Sequence, residues 1–171
     1  MNIFATSPDP DACAIDLDDS RLVKAVLETA QILSTVTGLG YRPTHQHHPV
    51  VAWARAEGPA AWTYHLLDAL GKEYTRRFKK THKSALYLPE FRQGLKTTEV
   101  PKELLFQNSA RNTALGADFT YLPVHEAYRK YLDWKWNEDI FKNRTPRWTN
   151  RHPPIWSVTA KTIRQKPLSP T

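Results

Sequence analysis

Four polar residues in one segment of the chain are spaced so that their side chains could act together. Arg21, Lys24, Glu28 and Gln31 follow one another at intervals of three or four positions. On an α-helix, with about 100° between successive residues, they fall within roughly 80° of arc. This face offers a carboxylate, a common general acid or base, beside two cations. The alternative is a solvated face in which Lys24 and Glu28 form an ion pair worth only a few tenths of a kcal/mol.

A second candidate is the histidine-rich loop, Thr44–His48. It contains His45, His47 and His48, and histidine is the commonest neutral nitrogen ligand of metal ions. However, the adjacent His47 and His48 cannot easily reach one ion, and no carboxylate lies close by in the sequence. We therefore expect no metal site and favour a polar loop that hydrogen-bonds a phosphate or a base. A plain surface loop is the alternative.

The net charge of +7 is concentrated in two parts of the chain. Residues 71–83, the first basic block, hold six Lys/Arg and one acidic residue, and residues 140–171, the second basic block, hold seven Lys/Arg and none. Basic residues interleaved with aromatic ones suit a nucleic acid, because cations meet phosphates while aromatic rings stack on bases. A solvated basic face with a loose tail is the alternative. The predicted contacts are Arg76, Arg77, Lys79, Lys80, His82, Lys83, Arg147, Trp148 and Arg151, with Tyr74, Phe78 and Trp156 as further stacking candidates.

Length and composition limit the class of protein. The 171 residues, 40% of them hydrophobic, suit one folded domain with a substantial core. No apolar run of about twenty residues could span a membrane, and no signal peptide is visible at Met1–Phe4. Cys13 is the only cysteine, so an internal disulfide is excluded and the cytoplasm is expected. No phosphate-binding glycine loop, dinucleotide fingerprint, zinc-protease motif or serine-hydrolase motif occurs, and we expect no cofactor.

Helices are expected to position these side chains. Asp18-Asp19-Ser20 offers N-cap residues for a helix from Arg21 to about Thr35, which ends near Gly38. Pro49 can open a short helix that reaches Trp53. The longest helical pattern is Ala60–Lys80, preceded by a break at Gly58-Pro59. Its apolar stripe consists of Trp62, Leu66, Leu70 and Tyr74.

A third main helix is predicted from Val124 to about Asp139, with Tyr128, Tyr131 and Leu132 facing the core. Strand-like alternation is nearly absent. We therefore predict an all-α fold, a single domain over residues 1–171 in which three main helices pack together.

The remaining segments are expected to be irregular. The first six residues should form a short arm that leads into the domain, because residues 7–11 have turn composition. Residues 86–116 should hold loops with a short helix near Pro101–Asn108. The core should end near residue 139, and the proline-rich residues 140–171 should be extended and lie over the surface.

Three stretches in this order resemble the pyrimidine dimer DNA glycosylase superfamily. Leu17–Lys24, leading to Glu28, is similar to the first helix of that family with its catalytic glutamate. Tyr41–Pro49, followed by a long helix that ends in Tyr74–Phe78, is similar to its Y-x-x-HP loop and second helix. Thr145–Trp148 is similar to its closing Arg-Pro-x-Trp segment.

The resemblance implies a DNA glycosylase coupled to a lyase, acting as an all-α monomer on DNA without a metal. In this family a nucleotide is flipped out of the stack, an amine attacks the deoxyribose C1′, and an imine forms. A glutamate assists the proton transfers that lead to strand cleavage by β-elimination. Glu28 takes the place of that glutamate.

The sequence departs from the family at the attacking amine. The family uses the α-amine of a small second residue that removal of Met1 exposes, whereas residue 2 here is Asn, which is too large for efficient removal. The candidates for the amine are therefore the α-amine of Met1 and the side chain of Lys24, one turn before Glu28. Gln31 stands where the family has a cation, and we retain it with Asn2 and Arg21 as predicted DNA contacts.

Two other functions stay open. A chain that has kept the scaffold and Glu28 but lost the amine could transfer an amine-bearing group to a modified thymine of phage DNA, with Glu28 as general base. It could also be a non-enzymatic DNA-binding protein in which Glu28 is structural.

Overall fold

Helices account for most of the regular secondary structure in residues 1–163, the part of the chain that the computed structural model describes. The α-helices are α1 (Pro10–Asp16), α2 (Asp19–Thr37), α3 (Pro49–Ala54), α4 (Glu57–Phe78), α5 (Leu88–Gly94), α6 (Val124–Phe141) and α7 (Val158–Thr162). Two 3-10 helices cover Lys83–Tyr87 and Thr113–Leu115, and the two-residue strands β1 (Arg111–Asn112) and β2 (Ala117–Asp118) form an antiparallel hairpin. The predicted all-α class is confirmed. No helix of the described range is long and apolar enough to cross a membrane.

The centre of the domain is the contact between α2 and α4. Asp18 caps α2 by accepting a hydrogen bond from the backbone N–H of Arg21, and Gly38, with φ of 74°, ends the helix. Both ends agree with the prediction. The apolar stripe of α4 is buried at Trp62, Leu66 and Leu70. This helix starts earlier than predicted, because Gly58-Pro59 lies within its first turn, where a proline costs no hydrogen bond.

Helix α6 closes the core with aromatic side chains. Tyr128, Tyr131 and Leu132 are buried as predicted, and so is Trp136. The Trp136 indole N–H donates to Oδ1 of Asp18 at 2.8 Å, so the α6 core is tied directly to the N-cap of α2.

The first six residues are inserted into the core, whereas the sequence suggested a short arm. Ile3, Phe4, Ala5 and Thr6 are all buried. The carbonyl of Ala5 accepts a hydrogen bond from Nδ1 of His125 at 2.7 Å, and the carbonyl of Thr6 accepts one from Nε of Arg129 at 2.9 Å. Two side chains of α6 therefore hold this segment in place.

The short helix of the middle segment is displaced from its predicted position. Residues 101–108 contain no helix, and the helix of this region is α5, which precedes them. The 101–108 stretch is instead held by its carbonyls, since Leu105 accepts from the Trp53 indole at 2.6 Å and Gln107 from the Tyr128 hydroxyl at 2.8 Å. These long-range contacts tie the stretch to α3 and α6.

The segment after α6 is irregular from residue 143 to residue 157, as predicted, and then forms α7, which the sequence did not indicate. It does not merely cover the surface, since Trp148 and Ala160 belong to the hydrophobic core. The predicted tail residues 164–171, including Arg164 and Lys166, lie outside the described residues.

Candidate active site

A cavity of about 650 Å³ opens between the N-terminal segment, α2, α6 and the hairpin. It is larger than the nearby hollows and contains most of the side chains with possible chemistry. Its walls include Met1, Asn2, Arg21, Lys24, Glu28, His48, Arg111, Asn112, Tyr131, Lys135 and Asp139. The structure thus brings together Met1, Lys24 and Glu28, the three predicted catalytic residues, but Gln31 is not among the residues that line the cavity.

Two amines flank the Glu28 carboxylate. Its Oε1 lies 3.6 Å from the α-amine nitrogen of Met1 and 3.5 Å from Nζ of Lys24. The Glu28 side chain is 14% exposed, whereas the Lys24 side chain is 73% exposed. An ion pair with an exposed lysine adds little stability. The contact with Met1, whose side chain is buried, is therefore the better-defined of the two.

Asn2 fixes the position of Met1. Its Oδ1 accepts hydrogen bonds from the backbone N–H groups of Ile3 at 2.8 Å and Phe4 at 3.3 Å, and its Nδ2 donates to the carbonyl of Ser109 at 3.1 Å. Phe4 has a φ of 41°, a conformation that non-glycine residues rarely adopt. The Asn2 amide therefore has a structural role within the protein, and its contact with DNA stays a prediction.

Arg21 is held rigidly in the wall of the cavity. Its Nη1 donates to Oδ1 of Asp18 at 2.9 Å, and its Nη2 donates to Oδ2 of Asp139 at 2.7 Å. Burial acts to lower the pKa of Arg21, but the two carboxylates outweigh it and raise the pKa. Arg21 is therefore a fixed cation, and its contact with DNA stays a prediction.

His48 connects the cavity with the histidine-rich loop. Its Nδ1 accepts the backbone N–H of Val50 at 3.2 Å, which caps α3. Burial, with smaller contributions from the Met1 α-amine and His45, lowers the pKa of His48, so the neutral ring carries its proton on Nε2. His45 and His47 are exposed beside it. No group of three potential ligands is placed to hold a metal ion within residues 1–163, and independence of metal stays a prediction.

Lys135 is a cavity residue that the sequence analysis missed. It lies in the nearly neutral stretch between the two basic blocks, and nothing in its spacing distinguishes it from other lysines. The structure places it half-buried in the wall, with Nζ 4.8 Å from the centre of the Tyr131 ring. An amine in the same cavity as Glu28 is a functional candidate.

The first basic block divides into exposed and buried cations. Arg76, Lys79, Lys80 and Lys83 are exposed, and their contacts with DNA stay predictions. Arg77 has a side chain that is 0% exposed, and it donates to Glu73, to Asp19 and to the carbonyls of Leu17 and Ile15. The prediction that Arg77 binds phosphate is therefore wrong for this conformation, since all of its donor groups are used inside the protein. His82 caps the first 3-10 helix through Nδ1 and is half-buried.

The second basic block divides in the same way. Arg147 is exposed and lines a smaller cavity with Arg144, and this cavity shares Ser20 and Asp139 with the first. Arg151 is instead bonded to the buried Glu73 through two hydrogen bonds, of 2.6 and 2.8 Å.

The tryptophans of the second basic block pack against the core. Trp148 is 2% exposed, donates to the carbonyl of Asp16 and packs edge-on against Trp136. Trp156 is stacked on the same ring and donates to Oδ2 of Asp16. The predicted base stacking by Trp148 is therefore corrected to core packing. Trp156 and Arg151 are half-buried, and their contacts with DNA stay predictions.

An all-α domain that joins amines and a carboxylate in one cavity, beside exposed cations, has the composition of an enzyme that acts on a polyanion. The family model described as pyrimidine dimer DNA glycosylase matches residues 1–86, half of the chain, and the chain belongs to this family. The matched range contains Met1, Lys24 and Glu28, whereas α6 and the hairpin follow it. A search of curated proteins and a search of solved structures found no match.

Proposed function

We propose that this protein is a DNA glycosylase that acts on a flipped-out, damaged or modified pyrimidine, with Glu28 as its acid–base residue. The observation that supports this most is the distance of 3.6 Å between the Met1 α-amine nitrogen and Oε1 of Glu28 at the cavity. An amine and a carboxylate in contact form the pair that glycosylase–lyase chemistry needs. Family membership supports DNA as the substrate.

The proposed reaction begins at the deoxyribose of the flipped nucleotide. The free amine of Met1 attacks C1′, a nitrogen–carbon bond forms, and the bond between C1′ and the base breaks with the electron pair leaving on the base. Glu28 accepts the proton that the amine loses and returns it to the ring oxygen as the C1′–O4′ bond opens, which gives an imine.

A lyase step is proposed to follow from the same imine. Removal of a proton from C2′ moves electrons toward the imine nitrogen, and the C3′–O bond breaks with the phosphate as leaving group. The Glu28 carboxylate is the base that the cavity offers close to the amine. Strand cleavage would then accompany base release.

The dimensions of the cavity suit this substrate. A volume of about 650 Å³ is in the usual range of roughly 300–1,000 Å³ for sites that hold a small molecule, so one nucleotide can enter it. The exposed Arg144 and Arg147 line the adjoining cavity, where the sugar–phosphate backbone would continue.

The test is to incubate the protein with duplexes that each contain one thymine dimer, one modified thymine, one abasic site or no lesion. Mass spectrometry of the nucleosides and a denaturing gel of the strands identify the products. Release of a base or opening of the dimer's glycosidic bond is the expected result. A mass gain on the modified thymine would replace the glycosylase by a group transferase, and binding without any product would indicate a non-enzymatic DNA-binding protein.

A further inference from the structure

Lys135 has the surroundings of a functional amine. Its side chain lines the cavity that contains Glu28, half-buried on α6. None of the ion pairs or hydrogen bonds found within residues 1–163 involves its Nζ, whereas the carboxylate of Asp139, one turn further on, is bonded to Arg21. A half-buried lysine without an acidic partner is uncommon, because the charged form loses hydration without compensation.

The charges around Lys135 favour its neutral form. Burial, followed by the nearby cations Arg21 and Lys24, lowers the pKa of Lys135, and the carboxylates Asp139 and Glu28 oppose this only in part. The Tyr131 ring, 4.8 Å from Nζ, attracts the protonated amine and opposes this shift in part, and burial raises the pKa of the Tyr131 hydroxyl. A lysine becomes a nucleophile when burial and neighbouring cations hold it unprotonated.

We propose that Lys135 is a second nucleophilic amine of this cavity, which forms an imine with the open-chain aldehyde of an abasic deoxyribose. This inference rests on the proposed function only in assuming that the cavity receives a deoxyribose of DNA. Nζ adds to the aldehyde carbon C1′, and the resulting carbinolamine loses its oxygen as water, so that one C=N bond replaces one C=O bond. Glu28, which lines the same cavity, is the group that relays the proton to the departing hydroxyl.

This second amine would not depend on the chemical state of Met1. The family position for the attacking amine is the terminus of the chain, and Asn2 here is buried in a structural role. A lysine on α6 offers the same chemistry from a fixed helix. The cavity would therefore retain lyase activity on abasic DNA when the α-amine is blocked.

The experiment uses the full chain acetylated at the Met1 α-amine by co-expression with an N-terminal acetyltransferase. The protein is mixed with a duplex that contains one abasic site and with sodium cyanoborohydride, which reduces an imine to a stable protein–DNA adduct. The adduct is quantified on a denaturing gel and located by mass spectrometry of the peptides. Lys135→Arg keeps the positive charge but cannot form the imine, and Lys130→Arg, exposed on the same helix outside the cavity, is the matched control.

The expected result is an adduct in the acetylated wild-type protein, located on Lys135. It should fall to background in Lys135→Arg and be unchanged in Lys130→Arg, with thermal unfolding showing that both variants are folded. The rate should level off at a lower pH than for an ordinary lysine, whose pKa is 10.5. Loss of the adduct on acetylation alone, its location on Lys24, or its survival in Lys135→Arg would overturn the inference.

The failure of this inference and that of the proposed function are distinguishable. Opening of the dimer's glycosidic bond in the thymine-dimer duplex by the unmodified protein, with no adduct on Lys135, would overturn the inference and leave the glycosylase. An adduct on Lys135 without base release from any duplex would support the inference and overturn the glycosylase.

Discussion

At the scale of single residues, the neighbour of Glu28 that matters most for the proposed reaction is the α-amine of Met1, which helical spacing cannot predict. Lys24 follows from the sequence, because a residue four positions away lies on the same helical face. The Met1 α-amine comes within 3.6 Å only because the segment before α1 is buried and anchored to α6. The spacing thus predicted the contact with the exposed Lys24, and the family resemblance drew attention to the contact with the α-amine of Met1.

The substitution Glu28→Gln should separate a catalytic role from a structural one. It keeps the shape of the side chain but removes the proton-accepting carboxylate. If Glu28 is the acid–base residue, turnover should fall by about 10²-fold or more, while DNA affinity holds or rises slightly because a phosphate-repelling charge is gone. Single-turnover base release and filter binding measure the two effects.

Glu126→Gln is the matched control for that experiment, since Glu126 is exposed in the first turn of α6. It makes the same change of charge away from the cavity and should leave turnover intact. Equal activities of the Glu28 and Glu126 variants would remove Glu28 from the active site.

His48 should contribute to stability as the N-cap of α3. Its Nδ1 accepts the N–H of Val50, and an asparagine side chain can accept the same bond. His48→Ala should therefore lower the free energy of unfolding by about 1 kcal/mol, and His48→Asn should restore most of it. Urea denaturation at neutral pH measures both, and a loss of equal size in the two variants would show that the cap contributes nothing.

The sequence could not predict which individual charged residues of the site are buried. Arg76 and Arg77 are adjacent in one basic run, yet only Arg77 is buried, because it lies four residues from Glu73 on the inner face of α4. Lys135 shows the opposite case, since it lines the cavity although it lies in a stretch of balanced charge. Counting charges along the chain indicates the average character of a surface but not which charged side chains are exposed.

At the scale of elements, the sequence predicted correctly those helices whose capping residues are recognisable at both ends. Asp18 and Gly38 bound α2 in sequence and in structure. Helix α1 differs from the turn that the composition of Ser7–Asp11 predicts, because Asp9 followed by Pro10 is also an N-cap with proline in the first turn. The 101–108 segment was predicted helical, but its carbonyls are taken by Trp53 and Tyr128, which lie far away in the sequence.

The end of α4 provides a test of DNA binding at this scale. Arg76, Lys79 and Lys80 are exposed there, and replacing all three by Ala should weaken binding to every sequence. The slope of log K against log salt should decrease by roughly one unit for each DNA phosphate that the variant no longer neutralises. Fluorescence anisotropy at several salt concentrations measures the slope.

A control with the same change of charge distinguishes local contact from net charge. Arg92, Lys96 and Lys102 are exposed outside both basic blocks, and their replacement by Ala should alter the slope much less. Identical slopes for the two triple variants would show that the end of α4 does not face DNA.

At the scale of the whole molecule, one buried carboxylate joins three parts of the fold. Glu73 of α4 accepts hydrogen bonds from Arg77 and from Arg151 of the C-terminal segment. Arg77 also donates to the carbonyls of Ile15 and Leu17, where α1 leads into α2. The pair between residues 73 and 151 could not be predicted from the sequence, because periodicity gives each helix its inner face but not its distant partner.

The stability of the whole domain should depend on the charge of Glu73. Burial acts to raise the pKa of Glu73, but Arg151 and Arg77 outweigh it and lower the pKa below its ordinary value of 4.5. A carboxylate whose pKa is lower in the folded protein stabilises the fold above its unfolded pKa, and this contribution is lost as pH falls through the folded pKa. Glu73→Gln should cost up to about 3 kcal/mol of unfolding free energy at neutral pH, because the buried Arg77 keeps only Asp19 as an ionic partner and an amide N–H₂ turns toward its donors. The variant should also lose part of the acid dependence of stability, since its side chain does not titrate.

Asp68→Asn is the control, since it breaks the exposed pair with Lys72, and it should cost under about 0.5 kcal/mol of unfolding free energy. Urea denaturation from neutral pH down to about pH 3 measures both variants, and equal losses for Glu73→Gln and Asp68→Asn would show that the network does not hold the three parts together.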